Sequence, residues 1–309
     1  MKQRNVLHLG GAKTASTTMQ TTVFFRSSTV HHFGEGGDGV TTSAEEGLLS
    51  SLLNDDEALF DFSEVEGLFL KHRETAGDRI LVFSSADVML ANRPTMVAAR
   101  LRMLLGQDLN VLLVVRDQCS ALASLYASHG AWLKPAPPPY FRRFVEFDDW
   151  LRFHWLRSAS SALASFAYWE QLQPFIAEFG SDRVTIVAFE RLVSGDSETW
   201  ARVSGLLGID PEWAWSQFSG DRLRERISIR QKRYGQVVSW MPPVLPAPDV
   251  RLDAGVLAKH LAGGPRFVPE WPPEFLGRVR RYYGAGNAAL EREFALGLAD
   301  LGYPMDGPG

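Results

Sequence analysis

The sequence predicts a single α/β domain spanning 1–309, with a mainly parallel central sheet flanked by helices on both faces. Three observations carry that reading. Short apolar runs at Val6–Leu9, Arg79–Phe83, Val111–Val115 and Val184–Phe189 alternate with longer segments of helical periodicity, and buried strands alternating with helices make parallel sheets covered on both sides. The run Val111-Leu-Leu-Val-Val115 is apolar throughout, as a strand buried on both faces must be. With 45% hydrophobic residues over 309 positions and no internal repeat, the chain can bury one large core.

The first strand runs straight into Gly10-Gly-Ala-Lys-Thr-Ala-Ser-Thr-Thr-Met-Gln20 and a helix expected over Thr14–Arg26. Gly10 and Gly11 let the backbone turn tightly and approach a ligand, because they carry no Cβ. The N–H groups opening the helix lack intrahelical partners and lie at the positive end of its dipole. Lys13 adds a full charge, and Thr14, Ser16, Thr17 and Thr18 add hydroxyl donors. The product is a cradle for phosphate or an anion shaped like it. The segment departs from the triphosphate loop G-x-x-x-x-G-K-[ST], since Ala12 precedes Lys13.

Further along, Val30–Thr42 holds His31, His32, Glu35 and Asp38 among glycines and reads as a flexible loop. The strand Arg79–Phe83 leads to Ser84-Ser-Ala-Asp87, and the strand Val111–Val115 leads to Arg116-Asp-Gln-Cys-Ser-Ala-Leu-Ala-Ser124 and a helix over Ser120–Ser128. Arginine at such a junction suits phosphate, because its planar fork offers two parallel charge-assisted bonds. If all eight residues from Arg116 to Ser124 were helical, the two would stand about 12 Å apart along the axis, so Arg116 must sit at the strand end and reach forward. Lys13 and Arg116 both fall at carboxyl ends of strands, where open α/β sheets bind ligands.

Helical patterns continue over Phe147–Phe179 with a break at Pro174, over Trp200–Leu207 and over Leu276–Leu298. Two stretches, Lys134–Tyr140 and Met241–Pro248, are proline-rich, hence extended and stiff. Segments near 30–45, 130–150 and 236–270 are the expected acceptor-side insertions, since loops on a rigid scaffold carry specificity. Most of the nine tryptophans, Trp132, Trp150 and Trp155 included, suit the core.

Lys13-Thr-Ala-Ser-Thr-Thr-Met-Gln20 fits the pattern K-T-[GA]-[ST]-T-x-[LM]-Q. With Arg116 and Ser124 at their spacing of eight, it resembles the sulfotransferases that use 3′-phosphoadenosine 5′-phosphosulfate (PAPS), in the bacterial-type, P-loop-like form. Arg183–Leu192 resembles the later strand and E-[DR]-L turn of that family, and Trp200–Ile209 the helix that follows. Asn287–Phe294 and Leu301–Pro304 resemble its C-terminal helix and tail. The resemblance covers nearly the whole chain, and its specific motifs are the two phosphate segments.

It implies an enzyme that moves a sulfuryl group from PAPS to a small-molecule or glycan acceptor, a carbohydrate, glycolipid or secondary-metabolite hydroxyl, leaving adenosine 3′,5′-bisphosphate (PAP). Lys13, Thr14, Ala15, Ser16, Thr17 and Thr18 would hold the 5′-phosphosulfate, with Lys13 balancing charge on the bridging oxygen. Arg116 and Ser124 would hold the 3′-phosphate. The cluster Arg222–Arg233 suits a solvated helix face, an anionic acceptor or, through Arg230 and Lys232, a second grip on the nucleotide. The family commonly places His or Glu after a Ser or Thr at the end of the second core strand, where this chain has Ala86. Asp87 is the first substitute for that base, then His129, then His32 or Glu35, while Glu190 and Arg191 suit turn and salt-bridge roles. Two other readings stay open: a P-loop kinase using ATP and Mg²⁺, with Asp117 as its acid, and a homologue that binds nucleotide without catalysis.

Bulk properties exclude several classes. A formal net charge of −4 argues against broad nucleic-acid binding, which needs a basic face. No apolar stretch approaches the roughly 18 to 20 residues that span a membrane. Met1–Asn5 leads directly into a core strand without a signal-peptide pattern, so a cytoplasmic protein is expected. One cysteine, Cys119, forms no intrachain disulfide and suits a small packing residue. The seven histidines show no metal-binding spacing, and no metal is expected.

Overall fold

The computed structural model of the chain describes residues 5–34, 43–90, 93–128, 144–157, 161–220, 228–239, 261 and 263–305. Five strands form one all-parallel sheet in the order β2-β3-β1-β4-β5. They are β1 (Asn5–Leu9), β2 (Val30–Gly34), β3 (Ile80–Ser85), β4 (Leu109–Val115) and β5 (Val184–Ala188). The expected α/β class and parallel sheet are what the structure has.

Alternation along the strands fills two cores. Leu7, Leu9, Phe83, Val111, Leu113 and Ile186 face one side, while Val6, Val82, Leu112, Val114 and Val187 face the other. The first core is covered by α2 (Ser43–Asn54), α3 (Phe62–Ala76), α4 (Pro94–Leu105), α5 (Gln118–Ser128), α6 (Phe147–Trp155), α7 (Tyr168–Phe179) and, near the C-terminus, the long helix Pro273–Phe294. The second core is covered by a π-helical turn (Met19–Phe24) that continues a single α-turn, α1 (Ser16–Thr18), and by α8 (Phe189–Ser194), α9 (Ser197–Leu207) and α10 (Pro211–Gly220). From β1 the chain crosses to β2 with its helix on one face, then returns through β3, β4 and β5 with helices on the other. Right-handed crossovers require that change of face with direction. The reversal makes β1 and β4 neighbours at the switch point, where such sheets bind ligands.

Several expectations are corrected. The helix expected at Thr14 begins at Ser16, because Lys13 and Ala15 hold positive φ, and it passes at Met19 into π geometry. The glycine-containing loop expected over Val30–Thr42 opens as β2, a buried edge strand paired with β3; residues 35–42, Glu35 included, lie outside the described residues. The long helix over Phe147–Phe179 is two helices, α6 and α7, and the break falls after Trp155 while Pro174 is accommodated inside α7. The α5 helix starts at Gln118, where Asp117 Oδ2 caps it by accepting from Ser120 N at 2.7 Å. The helix α11 (Ile229–Ser239) carries the end of the basic cluster, and the C-terminal helix, α12, begins at Pro273 rather than Leu276. Both proline-rich stretches and Arg222–Arg226 lie outside the described residues, within which no helix is long and apolar enough to cross a membrane.

Candidate functional site

The turn after β1 is locally strained. Lys13 and Ala15 both sit at φ +64°, on either side of Thr14. Left-handed backbone costs a non-glycine residue about 1–2 kcal/mol, and alternating residues of this hand turn successive N–H groups toward one centre. Three hydrogen bonds hold the strain in place. Thr14 Oγ1 donates to Gly11 O at 2.6 Å, Ser16 Oγ donates to the same oxygen at 3.0 Å, and Arg116 Nη1 donates to Lys13 O at 2.8 Å. The two glycines are needed for space: a Cβ on Gly10 would stand 3.2 Å from Ser16 Oγ, and one on Gly11 3.2 Å from Thr14 Cγ2. The hydroxyls of Thr14 and Ser16 are buried and turned inward as braces, whereas Lys13, Thr17 and Thr18 keep partial exposure.

A buried polar group anchors the loop from behind. Gln20 Nε2 donates to Ser84 Oγ at 2.9 Å, and His8 Nδ1 lies 2.7 Å from the same oxygen. Ser84 Oγ thus receives a proton from Gln20 and shares a second hydrogen bond with the His8 imidazole. Burial holds the His8 imidazole neutral, with its pKa lowered to about 4. The π turn is what aims Gln20 at the sheet, and such turns recur at functional sites.

Arg116 is the residue that β4 delivers to the same place. Its guanidinium lies 4.3 Å over the Phe189 ring, and its main chain is clamped at both groups by one buried phenol. Tyr168 Oη accepts from Arg116 N and donates to Arg116 O, both at 3.1 Å. Burial raises the pKa of Tyr168 far above the usual phenol range, so the hydroxyl stays able to donate. Glu190 Oε1 accepts from Asp117 N at 3.3 Å. The structure thus joins Lys13 and Arg116 directly, though 103 positions separate them. Ser124 lies in the second turn of α5 and is 4% exposed.

Other candidates fall elsewhere. Asp87 is exposed and begins a 3-10 turn just past β3, where its N–H donates to Ser85 Oγ at 3.2 Å. Gly10 N donates to Ser85 O at 3.4 Å, which puts the end of β3 beside the loop. Lys232 Nζ lies 3.5 Å from Glu146 Oε2 and 4.5 Å over the Phe267 ring, and Arg230 is exposed and packs over Gly264. His32 is corrected as a base: it is 1% exposed inside β2, and burial lowers its pKa to about 3. His129 lies outside the described residues. Cys119 packs against the core with its thiol pKa raised by burial to about 12. Among the described residues no group of three His, Cys, Asp or Glu side chains is placed to hold a metal ion.

Sequence reasoning did not single out Tyr168, Phe189 or Tyr303, whose hydroxyl donates to Glu190 Oε2 at 2.8 Å. Only a three-dimensional contact identifies these three, because a buried aromatic residue reads the same whether it packs or clamps.

No family model matches the chain, and no curated protein matches it. Among solved structures, a sulfotransferase from Alicyclobacillus acidocaldarius superposes with a TM-score of 0.57 at 12% identity, covering 97% of this chain and 99% of that one. A sulfotransferase domain from the curacin biosynthetic pathway gives 0.43 at 16% identity, with coverage of 69% and 77%. The sulfotransferase domain of the Synechococcus PCC 7002 olefin synthase gives 0.42 at 16% identity, with coverage of 72% and 81%. The first likeness shows the fold, which this chain shares over nearly its full length.

Proposed function

We propose that this chain is a sulfotransferase that takes a sulfuryl group from PAPS and passes it to an acceptor hydroxyl. The observation that supports this most is the 2.8 Å bond from Arg116 Nη1 to Lys13 O across the β1/β4 switch point. It couples two anion-binding stations on adjacent strands, as a donor with a phosphosulfate at one end and a 3′-phosphate at the other requires. The loop amides, Lys13, Thr17 and Thr18 would hold the phosphosulfate, with Thr14, Ala15 and Ser16 shaping the turn. Arg116 and Ser124 would hold the 3′-phosphate, and Arg230 and Lys232 are second-rank candidates for it.

In the reaction an acceptor oxygen attacks sulfur while the bond between sulfur and the bridging phosphate oxygen breaks. PAP leaves with that oxygen's electron pair. Positioning and charge stabilisation dominate such in-line transfers, and the Lys13 ammonium would stabilise the charge left on the bridging oxygen. The acceptor proton goes to Asp87, which follows directly from the β3 end that meets Gly10. A carbohydrate, glycolipid or secondary-metabolite hydroxyl is the acceptor class.

Thermal-shift measurement with PAP and, separately, with ATP plus Mg²⁺ tests the donor. Stabilisation by PAP is expected; stabilisation by ATP–Mg²⁺ alone overturns the reading in favour of a kinase. Incubation with labelled PAPS and a panel of glycans, phenols and alcohols tests transfer, and Asp87→Asn should abolish most of it without weakening PAP binding.

A further inference from the structure

The turn that presents Arg116 is tethered to the C-terminal tail by two separate polar routes. Along the first, Tyr303 Oη donates to Glu190 Oε2 at 2.8 Å, and Glu190 Oε1 accepts from Asp117 N at 3.3 Å. Along the second, Asn287 Nδ2 donates to Pro304 O at 2.8 Å, and the Asn287 amide pairs reciprocally with Gln118. In that pair Gln118 Nε2 donates to Asn287 Oδ1 at 2.6 Å and Asn287 Nδ2 donates to Gln118 Oε1 at 3.0 Å. Tyr303, Pro304, Gln118 and Asn287 are all buried.

The two routes begin at adjacent tail residues, 303 and 304, and end at adjacent turn residues, 117 and 118, next to Arg116. They travel through different elements, α8 and α12. A tail that only closed the core would need apolar contacts, whereas here buried polar groups are matched one to one, an arrangement costly to leave unsatisfied. Phe189, the ring beneath the Arg116 guanidinium, directly precedes Glu190. A shift of Glu190 therefore moves both the main chain and the platform of Arg116.

We propose that Tyr303, acting through Glu190, is a positioning residue for Arg116, so that the C-terminal tail sets the grip on the nucleotide 3′-phosphate. This rests on the reading of Arg116 as a nucleotide ligand. The test is PAP titration calorimetry and PAPS kinetics on the full chain with Tyr303→Phe, Glu190→Gln, Glu190→Ala and the double variant Tyr303→Phe/Glu190→Ala. Tyr303→Phe should weaken PAP binding and raise KM for PAPS roughly three- to thirtyfold, with the rise in KM exceeding any fall in kcat. Glu190→Gln, which keeps an acceptor for Asp117 N–H, should lose less than Glu190→Ala, and the double variant should be no worse than Glu190→Ala, since both changes cut one relay. If Glu190→Ala does not fold, Tyr303→Phe and Glu190→Gln carry the test. A lowered melting temperature with unchanged PAP affinity and KM in those two would make the tethers structural and overturn the proposal alone. Failure of the unaltered chain to bind PAP would overturn the nucleotide reading and this proposal with it.

Discussion

Lys13 is held left-handed although a glycine there would cost less strain, and the site keeps a side chain in return. Its carbonyl is bound by Arg116, so the two cations are arranged by one contact while each keeps its own charge to offer. The predicted consequences differ for the two. If the proposed function holds, Lys13→Met removes the charge that would balance the bridging oxygen, so transfer should fall about 100- to 1,000-fold, with PAP affinity falling much less. Arg116→Lys keeps the charge but loses the fork and the ring contact with Phe189. PAP affinity should drop roughly ten- to a hundredfold, read by calorimetry, with a smaller change in kcat. Equal losses of affinity in both variants would contradict this division of roles. The lysine, the glycines and the arginine were legible in the sequence because charge and backbone freedom are properties of residue type. That Thr14 and Ser16 turn inward to Gly11 O was not, since a hydroxyl's partner depends on where the turn places it.

At the scale of elements, β2 shows how composition misleads. Val30-His-His-Phe-Gly34 reads as polar loop, yet all five residues are buried in an edge strand. The histidines fit because their faces differ. His31 meets His72 at 3.1 Å on one side, while His32 lies edge-on to Phe24 on the other, both neutral. Gly34 closes the strand at φ +99°, and a Cβ there would run into Ser84 O and the Phe83 ring. Gly34→Ala should therefore destabilise the fold by about 2–4 kcal/mol, read as a lower urea midpoint with an unchanged slope. An unaltered midpoint would show that β2 does not pack on β3 in this way. Helix α7 teaches the same lesson in reverse, because Pro174 is carried inside it and the chain breaks earlier, after Trp155. Local signals mark where a helix can bend, and packing chooses whether it does.

For the whole molecule, buried neutral histidines tie stability to acidity. His8 has its pKa lowered from 6.5 to about 4 by burial, and His32 to about 3. As pH falls through 6.5 the unfolded chain takes up protons that the folded one refuses until about 4. Stability is therefore full above pH 6.5 and declines between 6.5 and 4, by about 3 kcal/mol for His8 alone. Urea midpoints measured from pH 7.5 to 4.5 should fall steadily below 6.5, and His8→Asn should flatten part of that decline; a constant midpoint down to pH 5 would contradict it. By itself the sequence determined the α/β class, the parallel sheet and the residues of the two strand-to-helix turns, because periodicity, β-branching, glycine and fixed charge act over a few neighbouring residues. Only the tertiary structure decided that β1 and β4 stand side by side, that Arg116 bonds Lys13 O, that Tyr168 bonds the Arg116 main chain, and that Glu190 joins Tyr303 to Asp117. Those contacts join positions 52 to 113 residues apart, and strand order and packing, which no local window contains, bring them together.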